Sequence, residues 1–210
     1  MIYLYTHTDD IDIERALSMV SGQRRRKAMS YVHESDRRLS LAVYLLLARA
    51  LRKEYGITGE LIFGSGVNGK PFLSDYTDIH FSLAHCPGAA ICAVSGSPVG
   101  CDIERIPDKL DMDLCEAACS EDEIAAILSA PSPEEAFTSL WTRKEAFLKY
   151  TGEGMTDNIK DLFPNAEKSA EFETLTAADG PYVYTLAYSN SKMSMKPVSA
   201  KTFLISSLTP

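Results

Sequence analysis

From Glu34 to Tyr55 apolar residues return every three or four positions, at Leu39, Val43, Leu46, Leu47, Ala50 and Leu51, and Gly56 stands where a left-handed C-terminal cap is wanted. This spacing predicts one long helix, the main packing helix of the first half of the chain. At 210 residues and 23.1 kDa the chain fits one large domain or two of about 100 residues, long enough to bury a core without staples. With 45% hydrophobic and 24% charged residues it reads as an ordinary globular chain, which excludes disorder, collagen and coiled coil.

Around that helix the pattern predicts a first strand over 2–6 and helix from Ile11 to Met29 with a break near Gly22. Strands follow at 61–63, 79–84 and 89–95, the last two a hairpin joined by His85-Cys86-Pro87-Gly88. Gly96-Ser97-Pro98 is the expected boundary between halves 1–97 and 98–210, and 99–104 is a further strand. Ser120 with Glu123 forms a capping box for a helix to about Ser129. Ser132, Pro133, Glu134, Glu135 and the closing Gly152 frame a second long helix. Strands return at 182–188 and 202–206. The expected fold class is α+β, each half combining helices with a mostly antiparallel sheet.

Charge divides the chain. Residues 1–100 carry 11 Lys and Arg against 10 Asp and Glu, whereas residues 101–210 carry 10 against 19. The first half is free to meet anionic groups, and the second has carboxylates to spare, as for a divalent cation. This balance disfavours nucleic acid as a partner. Five Cys at irregular spacing argue for thiols in a reducing compartment, and Cys115 with Cys119 lack the further ligands of a zinc set. An acidic start and the lack of an apolar run of ~18 residues lead us to expect a cytoplasmic protein without a membrane span.

Three clusters carry chemistry. Asp102 and Glu104 are two apart on a strand, so both carboxylates leave one face while Ile103 enters the core; together they suit an oxygen-liganded cation such as Mg2+, or form a solvated strand end. On the second long helix Phe137, Leu140, Trp141, Phe147 and Leu148 form an apolar stripe, with Trp141 assigned to the core. Lys144, near the centre of the stripe, must snorkel or meet an anion. Glu145 and Lys149, four apart on its flank, are either an acid and base at a reaction centre or a surface ion pair. His85 at a strand end suits phosphate binding or proton transfer, or is simply solvated. Lys70, between Gly69 and Pro71, lies in a turn that exposes backbone to a ligand, and Arg24 to Lys27 form a basic stretch.

In order and spacing these clusters resemble the surfactin-type 4′-phosphopantetheinyl transferases. The likeness runs from the basic stretch near Arg24 through Gly69-Lys70-Pro71, Ser82 to His85 and Val99 to Glu104, to Trp141 to Gly154. It implies a pseudo-twofold α+β molecule, an intramolecular pseudo-dimer whose halves clasp coenzyme A between them, acting as a monomer. It further implies that Asp102, Glu104 and Glu145 hold Mg2+ (or Mn2+) on the pyrophosphate, that Glu145 helps deprotonate the incoming serine, and that Lys149 stabilises phosphate charge. His85, Arg24 and Lys27 would contact the 3′-phosphate, Gly69 and Lys70 would line the adenine side, and Lys144 joins the cofactor-binding set.

Two departures concern cofactor grip: Ala84 stands where the family often has a serine, and Leu39 where an arginine is common, with Arg38 adjacent as a substitute. The implied reaction is attack of a serine of an apo acyl or peptidyl carrier protein on the β-phosphorus of coenzyme A, releasing 3′,5′-ADP. The alternatives are a coenzyme A or nucleotide binding module without catalysis and a metal-dependent phosphodiesterase.

Overall fold

The computed structural model describes residues 1–66, 68–154, 159–162, 172–189 and 202–204. The expected long helix is present as α3 (Glu34–Tyr55), closed by Gly56 at φ 69°. Before it come β1 (Ile2–Tyr5), α1 (Ile13–Ser18) and α2 (Gly22–Met29). The break near Gly22 separates α1 from α2 because the Ser21 side chain accepts the Arg24 amide and starts a new helix.

After α3 the short strands β2 (Phe63–Ser65) and β3 (Pro71–Leu73) pair antiparallel, so the Gly69-Lys70 turn is the tip of a small hairpin. The strands β4 (His80–Cys86) and β5 (Ala89–Ser95) pair antiparallel from His80↔Ser95 to Cys86↔Ala89. This hairpin is tighter than the spacing predicted: His85 and Cys86 lie in the ladder, and Pro87-Gly88 alone makes the turn, with Gly88 at φ 85°.

The second half runs β6 (Val99–Arg105), α4 (Met112–Ala118), α5 (Glu121–Leu128), α6 (Pro133–Thr151), β7 (Phe172–Asp179), β8 (Tyr182–Ser189) and β9 (Thr202–Leu204). The capping box of Ser120 and Glu123 is formed, whereas Ser132 starts α6 without a side-chain cap bond. Residues 205–206 of the last expected strand lie outside the described residues.

Two main sheets result, β4-β5-β1-β9 and β6-β8-β7, and they stack in the middle of four layers. Alternation along each strand does the sorting. Ile2, Leu4, Ile91 and Ala93 of the first sheet meet Cys101, Ile103, Tyr184 and Leu186 of the second in one buried core. Tyr3, Phe81, Cys92 and Val94 point the other way, onto α3. The far face of the second sheet is covered by α6, whose own outer side packs with α4 and α5. β9 pairs parallel with β1, so Thr202–Leu204 return to the first sheet.

The molecule is thus a mixed α/β fold with largely antiparallel sheets. All five cysteines are free and buried. Among the described residues no helix is long and apolar enough to cross a membrane.

Candidate active site

The site begins with a glycine. Gly100, Asp102 and Glu104 share the face of β6 that α6 covers. A Cβ on Gly100 would lie 2.0 Å from the Ala146 carbonyl oxygen and 2.4 Å from the Tyr150 amide nitrogen. Backbone therefore touches backbone, and the helix lies low enough for Glu145 and Lys149 to reach the strand carboxylates. The Lys149 ammonium donates to Asp102 Oδ1 at 2.6 Å, with Asp102 only 4% exposed. The solvated strand end left open for Asp102 is excluded.

Burial and mutual repulsion dominate the electrostatics. Burial pushes the Asp102 carboxyl up, while the Lys149 charge and hydrogen bond pull it back. Glu104 is pushed to about 7, first by burial and then by the Asp102 charge, against the opposing Lys149 charge and the Trp141 hydrogen bond. Glu145 is raised by burial and by Asp102. Burial works to lower the Lys149 ammonium, but the Asp102 charge and hydrogen bond, joined by Cys101 and Glu145, raise it overall.

Beside this cluster lies a cavity of about 300 Å³ walled by both sequence halves. Gly69, Lys70 and Phe81 come from the first, and Glu145, Leu148 and Lys149 from the second. The Lys70 stem lines it, but its ammonium donates to the backbone carbonyls of Val99 (3.2 Å), Lys149 and Tyr150 (3.3 Å). Asn68 Nδ2 donates to the Gly152 carbonyl at 2.9 Å. Ser82 Oγ accepts the Cys101 amide at 3.0 Å and so joins the facing edges of the two sheets. His85 is exposed on edge strand β4, and partial desolvation followed by the Lys149 charge lowers its pKa.

The two α2 residues assigned to the 3′-phosphate, Arg24 and Lys27, differ in their surroundings. Arg24 lies over the rings of Tyr44 (5.0 Å) and Phe63 (5.9 Å), with Ser40 Oγ at 3.5 Å. Lys27 is exposed on α2. Arg38, the expected substitute beside Leu39, is held by Glu34 and the Ile11 carbonyl.

Lys144 requires a correction. It is fully buried, and its ammonium donates to Glu123 Oε2 at 2.7 Å and to the Ala118 carbonyl at 2.8 Å. The anion it meets is the carboxylate of the capping box, so Lys144 holds α4, α5 and α6 together and is not a cofactor ligand. Trp141 also departs from expectation: it stacks on Phe137 but remains partly exposed, and its indole helps hold the Glu104 carboxyl down. Gly100 and Trp141 were missed as site residues. A glycine inside a strand, in phase with Asp102 and Glu104, was the available signal for the first, and the i, i+4 spacing of Trp141 to Glu145 for the second.

Among the described residues no group of three His, Cys, Asp or Glu is arranged as a metal-binding cluster, and Lys149 engages Asp102. The donors themselves fit a hard divalent cation. Asp102 Oδ2 and Glu145 Oε1 are buried without a hydrogen-bond partner, and Glu104 is repelled by both carboxylates. Unpaired carboxylate oxygens in mutual repulsion are what such an ion relieves.

Comparison with known proteins converges on the same segment. Residues 98–193 match the family model described as the 4'-phosphopantetheinyl transferase superfamily. The chain is 32% identical over 199 residues to 4'-phosphopantetheinyl transferase psf-1 of Bacillus pumilus, spanning 90% of this chain and 84% of that protein. It is 27% identical over 158 residues to 4'-phosphopantetheinyl transferase Sfp of Bacillus subtilis (strain 168), spanning 74% and 70%. To 4'-phosphopantetheinyl transferase gsp of Aneurinibacillus migulanus it is 36% identical over 141 residues, spanning 66% and 58%. The matched segment holds the strand and helix that form the carboxylate cluster, and the likeness to psf-1 extends over nearly the whole chain: it belongs to the 4'-phosphopantetheinyl transferase superfamily.

Proposed function

We propose that the cleft transfers the phosphopantetheine arm of coenzyme A to a serine of an apo acyl or peptidyl carrier protein. The observation that carries this reading is the meeting of Asp102, Glu145 and Lys149 at the wall of a cavity large enough for part of a nucleotide. The serine oxygen forms a bond to the β-phosphorus, the bond from that phosphorus to the bridging oxygen breaks, and 3′,5′-ADP leaves with the electron pair. Glu145, its pKa raised by burial and Asp102, accepts the serine proton. Lys149 turns its charge to the phosphates, and His85 at the β4 edge takes the 3′-phosphate with Arg24 and Lys27. Asp102, Glu104 and Glu145 would hold Mg2+ or Mn2+, which would supply neutralisation of pyrophosphate charge.

The cavity walls come from residues 1–97 and 98–210, and each main sheet carries one long helix on its outer face, α3 or α6. Both features support a pseudo-twofold arrangement of two similar halves, with β9 the exception. The test is to incubate the protein with coenzyme A, Mg2+ and an apo carrier and to weigh the carrier. A gain of one phosphopantetheine, with 3′,5′-ADP formed, is expected. An unchanged carrier with intact coenzyme A supports a binding module, and cleaved coenzyme A with an unchanged carrier a phosphodiesterase.

A further inference from the structure

An α-helix ends with four carbonyls that have no partner within it. At the end of α6 the Leu148 carbonyl accepts the Gly152 amide, and the carbonyls of Lys149 and Tyr150 both accept from the Lys70 ammonium. The neighbouring Asn68 takes the Gly152 carbonyl. A cation at a helix C-terminus is also favoured by the helix dipole. The third acceptor of Lys70 is the Val99 carbonyl, at the head of β6 and next to Gly100. One ammonium from a first-half hairpin therefore joins the end of the helix carrying Glu145 and Lys149 to the start of the strand carrying Asp102 and Glu104.

We infer that Lys70 is a positioning residue: its ammonium sets α6 on β6, and through that contact the distance between Lys149 and Asp102, instead of gripping the cofactor. A lysine ammonium has three protons, and three carbonyls take them, so none remains for a phosphate or base. Among the described residues no carboxylate supplies an ion pair in its place. The cation is half-buried, and desolvation lowers its pKa, as expected for an ammonium held by carbonyl oxygens alone. Gly100 permits the close approach of helix and strand, and Lys70 holds it.

This inference rests on the transfer reading for its kinetic arm only, and the test keeps the two separable. Hydrogen exchange of the cofactor-free protein is compared for wild type, Lys70→Met and Lys70→Arg, together with turnover and the dissociation constant for coenzyme A. Lys70→Met is expected to speed amide exchange over 148–152 by ~10-fold, about the worth of one hydrogen bond. It is expected to lower turnover by ~10- to 100-fold, as displaced catalytic groups do, with the dissociation constant changed less than about threefold. Lys70→Arg, which keeps donors and charge, recovers part of both losses. A dissociation constant raised about tenfold or more with turnover at saturation and exchange unchanged would overturn the inference in favour of a cofactor ligand. If Lys70→Met does not fold, Lys70→Gln, which keeps a donor without the charge, must speed exchange over the same segment, and unchanged exchange overturns the positioning role. A wild-type protein that leaves the carrier unmodified removes the transfer reading while exchange still decides the role of Lys70.

Discussion

Lys149 and Asp102, 47 positions apart in sequence, meet at 2.6 Å where α6 crosses β6, and the lysine engages only one oxygen of the carboxylate. The other oxygen is buried and unpartnered, next to a Glu145 carboxylate in the same condition. Desolvated charge held in this way is a standing cost in the resting protein and a ready stabiliser when compensating charge arrives. Asp102→Asn keeps the shape and removes the charge. It is expected to lower carrier modification by ~100-fold or more while circular dichroism shows the fold retained. Full activity of wild type in excess EDTA would show that the trio does not serve a metal.

Gly100→Ala is the sharpest structural test of the site. The added Cβ meets backbone atoms of Ala146 and Tyr150 at 2.0 and 2.4 Å, and backbone cannot swing aside as a side-chain tip can. The helix must lift from the strand. We expect a loss of several kcal/mol or a folded protein with turnover reduced ~100-fold, read by thermal melting and by carrier mass.

Lys144→Met separates packing from cofactor binding. The variant leaves Glu123 with a sheltered carboxylate and no cation, at a cost of about 3 kcal/mol. Melting should fall, and the Michaelis constant for coenzyme A in the folded fraction should stay unchanged. A raised Michaelis constant with unchanged melting would restore Lys144 to the cofactor site.

Glu104 gives a pH signature. Its folded pKa, about 7, lies above the ordinary 4.5, so the folded state binds more protons than the unfolded state between those values. Stability therefore falls as pH rises through that window, by up to about 3 kcal/mol for this group. Glu104→Gln should raise the melting temperature of the cofactor-free protein at pH 8 and leave it nearly unchanged at pH 4.5. An equal shift at both pH values would place the effect in packing.

His85 is tested with two cofactors. His85→Ala should raise the Michaelis constant for coenzyme A and have little effect with 3′-dephospho-coenzyme A, because a contact to a remote phosphate is made equally in ground and transition states. Equal penalties with both cofactors would remove His85 from the 3′-phosphate.

Period and punctuation made much of this protein legible from its residues alone. The 3.6-residue stripe and Gly56 define α3, the Ser120 and Glu123 pair defines the start of α5, and two-residue alternation puts Asp102 and Glu104 on one face of β6. These are local rules, set by backbone geometry over a few residues, and they hold before any tertiary contact forms. The ordered motifs likewise reveal the family.

What they do not contain is the destination of a long side chain. Lys70 and Lys144 stand in separate motifs and both read as cofactor-binding residues, Lys70 on the adenine side, yet one caps a helix end and the other is buried against Glu123. Lys149, which reads in the same way, alone of the three reaches an active-site carboxylate. A lysine spans several ångströms on a flexible stem, so its partner depends on which elements pack within reach. That was settled by the backbone contact at Gly100 and by the hairpin that brings Asn68 and Lys70 to the end of α6. Sequence determined which residues carry charge and on which face of each element they stand; only the packing of α6 on β6 decided which of those charges meet.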